Sequence, residues 1–359
     1  MLKKKTKIIF PFYGDTVGGS HISSISLINK LKHNYKTEII INSKKQIYKF
    51  LKSQDIHFNY HSVPSYKIGD KKINFFFKIP LIFISTIYLF LKFKPQIIHI
   101  NDTRTLISWL PMVMLFNIKI IFHHRNFLPK SKFLYHFLKK IKIISNSYYI
   151  KSFLPNYLES EVVYNPIYID VRKYHSNRIL SKITLGFFGN FSKRKNPDLF
   201  IKLINSLKDE IPLESFMVGR IDDNRETEIR SLIYKNKLES CIKIIPFQND
   251  PYKIMVNCDF IICPSVNEPF GRIPIEASLL KCLVIANDSG GFRETIQHNL
   301  NGYLVKDNNV SKYKEFILKL ITDKKKYDEV VQTAYELAKK KYNLSKHFNN
   351  IDKIYKKLI

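Results

Sequence analysis

Short apolar runs alternate with longer amphipathic ones along most of this chain. "KIIFPF" (7–12) reads as a strand, and "ISSISLINKL" (22–31) as a helix with Ile22, Ile25, Ile28 and Leu31 on one face. "TEIII" (37–41), "QIIHI" (96–100), "IKIIF" (118–122) and "KIISN" (142–146) are further candidate strands, with helical segments between several of them. The pattern starts afresh at "ITLGFFG" (183–189). A helix follows over "PDLFIKLINSL" (197–207), with Asn196 as its cap and Pro197 at its first position. "SFMVG" (215–219), "IKIIPF" (242–247), "DFIICP" (259–264) and "CLVIA" (282–286) then read as strands, "NGYLV" (301–305) as a turn into a short strand, and "FNNIDKIYKKLI" (348–359) as a helix.

Strands that are apolar throughout are buried on both faces, and in alternation with helices they imply parallel sheets. The expected class is therefore α/β, with two doubly wound Rossmann-like domains facing a central cleft. A chain of 359 residues suits two cores better than one. The polar segment 165–182, which carries Pro166, marks the break. The expected division is 1–170, 171–347 and a terminal helix over 348–359 that returns toward the first domain. Ligands of such sheets bind at the carboxyl ends of strands, so loops that follow strands are where chemistry is expected.

Composition changes the picture in two places. Residues 1–150 hold 25 Lys plus Arg against 5 Asp plus Glu, whereas the other 209 residues hold 34 against 25. Lys outnumbers Arg about fivefold, which fits a Lys-rich background, but a background does not explain the asymmetry. A one-sided field favours an anionic partner for the first half, a membrane surface or a nucleic acid. The most apolar stretch, Phe75 to Lys94, offers only 13 residues between Lys78 and Lys92, including Pro80. A span needs about 20 apolar residues, so a buried or interfacial helix is expected, with core packing ahead of membrane contact. Cys241, Cys258, Cys263 and Cys282 form no Cys-x-x-Cys pair, which argues against zinc and against a disulfide framework. "MLKKKTKIIFPF" is no signal peptide, so the expected location is the cytoplasm.

Four strand-following loops carry candidate chemistry. "YGDTVGGSH" (13–21) lets backbone N–H groups near Gly18 and Gly19 approach an anion at a helix start, but lacks the Lys of a P-loop. "GNFSKRKNPD" (189–198) sets Lys193, Arg194 and Lys195 beside a starting helix, a pairing that suits a diphosphate as well as an ordinary basic loop. "SVNEPFGRIPIEA" (265–277) places Glu268 on a loop and Glu276 about one turn into a helix, with Gly271, Arg272 and Ile273 between them. Carboxylates accept hydrogen bonds from vicinal hydroxyls, and N–H donors between two of them can hold a phosphate. An acid near a helix start that merely favours the dipole would account for Glu276 but not Glu268. "ANDSGGFRETI" (286–296) is a further anion-ready turn.

In these features the chain resembles the retaining glycosyltransferases of family 4, which have the GT-B fold. The resemblance lies in the E-x7-E pattern "EPFGRIPIE", then "ANDSGGFRETI" and "NGYLV", with "GGS", "ISNS", "VVYNPI" and "GNFSKRKNP" in support. It implies that Glu268 contacts donor-hexose hydroxyls, Glu276 the ribose, and Lys195 the diphosphate. It also implies that backbone around Phe270, Gly271 and Arg272 touches the sugar and phosphates, and that the Gly18–Gly19 loop closes over the donor. Asn190 stands where the family usually has Arg, and Arg194 or Lys193 is the candidate replacement. The family's histidine falls within "FHHRN" (122–126), at His124, His123 or Arg125, with His99 the other candidate.

The reaction implied is retaining transfer of a hexose-type sugar from a nucleotide-sugar to a surface-polysaccharide or lipid-linked glycan. The donor is a co-substrate, with no cofactor. There is no Asp-x-Asp, and cations and N–H groups would serve the leaving group without a metal. The expected setting is the inner face of the plasma membrane, on anionic lipid. No nucleic-acid module supports that alternative partner. A nucleotide-sugar epimerase, a phosphorylase and a non-catalytic partner subunit are the rival readings.

Overall fold

The computed structural model describes residues 5–15, 17–65, 72–116, 118–177 and 181–359. The chain forms two compact units, Met1–Pro166 with Leu344–Ile359, and Ile167–Asn343. The boundaries thus fall four residues earlier than 170/171 and 347/348. The Ile167 N–H donates to the Tyr342 carbonyl at 2.9 Å, which ties the start of the second unit to its end.

The first unit holds strands β1 (Lys7–Phe12), β2 (Lys36–Ile41), β3 (Asn59–Tyr60), β4 (Ile97–Ile100), β5 (Lys119–His124), β6 (Lys142–Ser145) and β7 (Ser160–Val162). They form one parallel sheet in the order β3-β2-β1-β4-β5-β6-β7. Its helices are α1 (Gly19–Leu31), α2 (Gln46–Ser53), α3 (Lys72–Phe93), α4 (Thr103–Leu115), α5 (Lys132–Leu138) and α6 (Tyr148–Lys151). Side chains of a strand alternate between faces, and here the alternation sorts them into two cores. Ile8, Phe10, Ile39 and Ile41 pack with Leu27 and Ile28 of α1 and Leu51 of α2. Ile9, Ile40, Ile98 and Ile120 pack with Leu89 of α3, Trp109 of α4 and Phe137 of α5.

The second unit repeats the plan with β8 (Ile183–Phe188), β9 (Leu213–Gly219), β10 (Ile242–Pro246), β11 (Phe260–Cys263), β12 (Leu283–Asn287) and β13 (Tyr303–Val305). All neighbours are parallel, in the order β10-β9-β8-β11-β12-β13. Its helices are α7 (Pro197–Leu207), α8 (Asp223–Lys235), α9 (Tyr252–Met255), α10 (Arg272–Leu279), α11 (Phe292–Thr295), α12 (Val310–Thr322) and α13 (Lys324–Lys341). The remaining helix, α14 (Leu344–Leu358), belongs to the first unit, where Ile351, Ile354 and Tyr355 enter the core beside Ile8 and Phe10. It starts four residues before the expected 348.

Two local expectations need correction. Ile22 is 42% exposed; α1 begins at Gly19 and buries Ile25, Leu27, Ile28 and Leu31 instead. Asn196 precedes α7, but its backbone is left-handed (φ 55°) and its side chain makes no cap bond, since capping needs extended backbone at that position. The expectation for the 75–94 segment holds: Ile82, Thr86, Leu89 and Phe93 of α3 are buried, and among the described residues no helix is long and apolar enough to cross a membrane.

Candidate functional site

Three loops at the carboxyl ends of β8, β11 and β12 meet in the second unit. The first turns out of β8 at Gly189 (φ 146°), whose carbonyl oxygen would lie 1.8 Å from any Cβ at Gly219. The second passes through Asn267 (φ 53°) and Gly271 (φ 86°), left-handed positions that swing the chain from β11 into α10. The third contains Gly291, where a Cβ would stand 2.7 Å from the Phe270 Cα. Hydrogen bonds join all three. The Val266 N–H donates to the Arg194 carbonyl (2.9 Å), and the Gly291 N–H to the Glu268 carbonyl (2.7 Å). The Asn267 N–H donates to Ser289 Oγ at 3.0 Å.

This frame brings Glu268 together with two of the cations singled out in the sequence. Glu268 Oε2 accepts from Lys195 Nζ at 2.7 Å and Arg194 Nη1 at 3.1 Å. The Glu268 and Lys195 side chains are only 13% and 17% exposed, so solvent screens the pair weakly, while Arg194 is 45% exposed. Asn190 is exposed beside Gly189. An anion reaching Lys195 and Arg194 would compete with Glu268 for them, and would free that carboxylate to accept from hydroxyls.

The second carboxylate is held differently. Glu276 is buried, and its Oε1 accepts from Arg272 Nη2 at 2.8 Å, one helical turn back, and from the Tyr252 hydroxyl at 3.3 Å. Burial, and then the charge of Glu276, push the Tyr252 pKa far up, so that hydroxyl remains a donor. The helix α10 opens at Gly271 with no side-chain cap and no acid in its first turn. Its positive pole therefore carries no acidic side chain of its own. Phe270 is buried, with its ring 5.9 Å from that of Tyr342, so only its backbone borders this opening.

In the first unit, Gly18 precedes α1 with extended backbone, and its N–H donates to His21 Nδ1 at 3.2 Å. Gly19 is the first helical residue. His123 and His124 are both 0% exposed. His123 stacks on His347 (centroids 6.0 Å apart) and its Nδ1 takes a bond from Arg125 Nη2 at 3.0 Å. His124 packs on Phe122 and lies 3.5 Å from Ser145 Oγ. Burial lowers the His124 pKa to about 4, and burial with the Arg125 charge lowers His347 to about 3 and His123 well down. The Nε2 of His123 and that of His124 are buried and take no hydrogen bond among the described residues. Arg125 is the residue of "HHR" that reaches the start of α1, donating to Ser24 Oγ at 3.2 Å and to the Ser20 carbonyl at 3.4 Å. His99 is sealed in too, with Nδ1 2.6 Å from the Tyr355 hydroxyl.

Sequence reasoning missed Tyr252 and the use of Arg272's side chain. The four-residue spacing of Arg272 and Glu276 was a signal for the second. Tyr252 comes from a helix 24 residues away and offered none. Among the described residues no group of three or more His, Cys, Asp or Glu side chains is placed to hold a metal ion.

Two Rossmann-like units, one of them with a Glu-x7-Glu loop laid over a basic turn, are the architecture of the GT-B fold. The sequence profile described as "Glycosyl transferases group 1" matches residues 173–337. An uncharacterised glycosyltransferase of Methanocaldococcus jannaschii is 29% identical over 222 residues, 60% of either chain. The N-acetylgalactosamine-N,N'-diacetylbacillosaminyl-diphospho-undecaprenol 4-alpha-N-acetylgalactosaminyltransferase of Campylobacter jejuni is 30% identical over 138 residues, 38% of this chain and 37% of that one. The matched regions thus span less than two thirds of these relatives. Among solved structures, Anabaena Alr3699/HepE in complex with UDP and glucose superposes with a TM-score of 0.84 at 18% identity, covering 98% of this chain and 99% of that one. A glycosyltransferase from Rickettsia africae gives 0.84 at 21% identity and 99% of both chains. At these identities the likeness is one of fold.

Proposed function

We propose that this chain is a retaining glycosyltransferase that moves a hexose-type sugar from a nucleotide-sugar to a surface-polysaccharide or lipid-linked glycan. The observation that carries the reading is the contact of Glu268 with Lys195 and Arg194 beside the uncapped start of α10. As the sugar leaves, negative charge builds on the diphosphate. Lys195, Arg194 and the first N–H groups of α10 are fixed positive groups that stabilise it without reorganising. Glu268, released by the diphosphate from those cations, accepts from the hexose hydroxyls, and Glu276 accepts from the ribose. No metal is required for this charge balance.

The bound UDP of the Anabaena protein and the diphospho-undecaprenol acceptor in the Campylobacter enzyme's name support a nucleotide-sugar donor and a lipid-linked acceptor. The basic first half supports a peripheral position on the cytoplasmic face of the plasma membrane.

The test is a panel of nucleotide-sugars read by thermal shift on the wild type, Glu276→Ala and Glu276→Gln, each against its own unliganded melting temperature. At least one nucleotide-sugar should stabilise the wild type, and Glu276→Ala should lose most of that shift. If none stabilises the wild type, the donor reading fails. If Glu276→Ala keeps full affinity, the ribose role is wrong. Product analysis without acceptor separates transfer from an epimerase or phosphorylase.

A further inference from the structure

The loops that leave β1 and β2 and the first turn of α4 border a cavity of about 320 Å³ within the first unit. Hydrogen bonds fix its walls. The Gly14 N–H donates to Asn42 Oδ1 at 3.0 Å, and Asn42 Nδ2 donates to the Val63 carbonyl at 3.1 Å. The Tyr13 N–H donates to Thr105 Oγ1 at 3.3 Å, which ties the end of β1 to the start of α4. Arg104 then lies over Gly14, so closely that a Cβ there would stand 2.2 Å from Arg104 Nη1. Only a glycine lets the guanidinium cross the end of the strand at that distance. The acids of this corner are committed elsewhere. Asp102 accepts from the Thr105 N–H and hydroxyl at 2.8 and 2.7 Å. Asp15 pairs with Lys45 at 3.1 Å and accepts from Ser43 Oγ at 2.6 Å. Lys78 lines the cavity as well, but has a partner. Among the described residues the Arg104 guanidinium makes neither an ion pair nor a hydrogen bond, and its Nε is buried without one. A buried donor without an acceptor is costly, and a ligand that supplies one removes the cost.

We infer that this pocket reads an acidic group on the acceptor sugar, an oxyanion that pairs with Arg104. A guanidinium presents paired donors that match two oxygens of a carboxylate or a phosphate. The other walls suit a saccharide. Ser65 and Asn42 offer polar atoms to hydroxyls, and Val63 and Pro64 offer an apolar side to ring C–H groups. A neutral sugar fits less well, because it brings hydroxyls but no counter-charge to Arg104. Parallel sheets take ligands at the carboxyl ends of their strands. The residues proposed for the donor's diphosphate and ribose belong to the second unit, which leaves this end of the first sheet for the acceptor. A uronic carboxylate and a sugar phosphate supply the same oxyanion chemistry, and two probes separate them. Calling the ligand an acceptor rests on the proposed transfer reaction, but binding at this pocket needs no nucleotide and is tested without one.

Glucuronate, glucose 6-phosphate and glucose are each titrated calorimetrically into the full chain as wild type, Arg104→Gln, Arg104→Lys and Lys195→Gln, with no nucleotide present. The wild type should bind at least one acidic sugar about tenfold or more tighter than glucose, and whichever binds names the oxyanion. Arg104→Gln should lose at least about tenfold of that affinity. Arg104→Lys, which keeps the charge without the planar fork, should lose less. Lys195→Gln, in the second unit, should bind as the wild type does. The guanidinium holds no partner in the fold, so both Arg104 variants should keep the wild-type melting temperature. Three results overturn the inference: neither acidic sugar outbinding glucose in the wild type, undiminished affinity in Arg104→Gln, or a loss that follows Lys195 instead. A failed nucleotide-sugar panel would remove the donor reading and leave these titrations standing.

Discussion

Glu268 and Glu276 share a motif but not an environment. Glu268 faces two cations on a loop, whereas Glu276 is enclosed and tied to Arg272 within α10. Removing one partner of an enclosed ion pair costs about 3–5 kcal/mol because the other charge stays behind. Glu276→Ala should therefore destabilise the second unit by about 3 kcal/mol, and Glu276→Gln, which keeps an acceptor, by roughly 1–2 kcal/mol; urea unfolding measures both. The buried histidines make a pH prediction. His124 and His347 have folded-state pKa values of about 4 and 3, below the ordinary 6.5, so the unfolded chain binds the extra protons. Their stabilisation is complete above about pH 6.5 and is lost as the pH falls toward those values. Each should cost about 1.4 kcal/mol by pH 5.5. Unfolding at pH 7.5 and 5.5, repeated on His124→Asn, checks this; an unchanged pH slope in the variant would exclude His124 as a source. The carboxylates were legible in the sequence because spacing and glycines announce the loop. Which of His123, His124 and Arg125 reaches α1 was not legible, because one residue of register along β5 exchanges its faces.

At the scale of elements, the glycines separate folding from function. Gly219→Ala would drive a Cβ into the Gly189 carbonyl and displace the loop that carries Lys195, a loss of roughly 2–3 kcal/mol. Gly18→Ala meets nothing within 4 Å and keeps extended backbone, so it should change stability by less than about 0.5 kcal/mol. Thermal or urea melts of the two variants give the comparison, and any loss of nucleotide-sugar response in Gly18→Ala then reports on binding. The long apolar strands were readable because burial on both faces leaves an uninterrupted run. β3, with two residues, and β7, with three, were not, since a pair that short is held by its neighbour in the sheet and not by its own composition. α12 and α13 were also missed.

At the scale of the molecule, the first unit is built from two separated stretches of chain. Ile351, Ile354 and Tyr355 of α14 are at most 1% exposed in its core, each stabilising by about 1.5–3 kcal/mol. Tyr35 also donates to Asp352 at 2.7 Å. Cutting the chain after Asn343 should remove at least about 5 kcal/mol, enough to unfold a typical domain. Circular dichroism and limited proteolysis of the shortened chain, with the first unit's fragments cleaved and those from 167–343 protected, would bear this out; an intact first unit would refute it. On the ribosome, the stretch that closes the first unit emerges only after the whole of the second. Synthesis therefore reverses the usual order of domains: the later-made unit can finish while the earlier one still waits, its seam for α14 open to chaperones and to neighbouring chains.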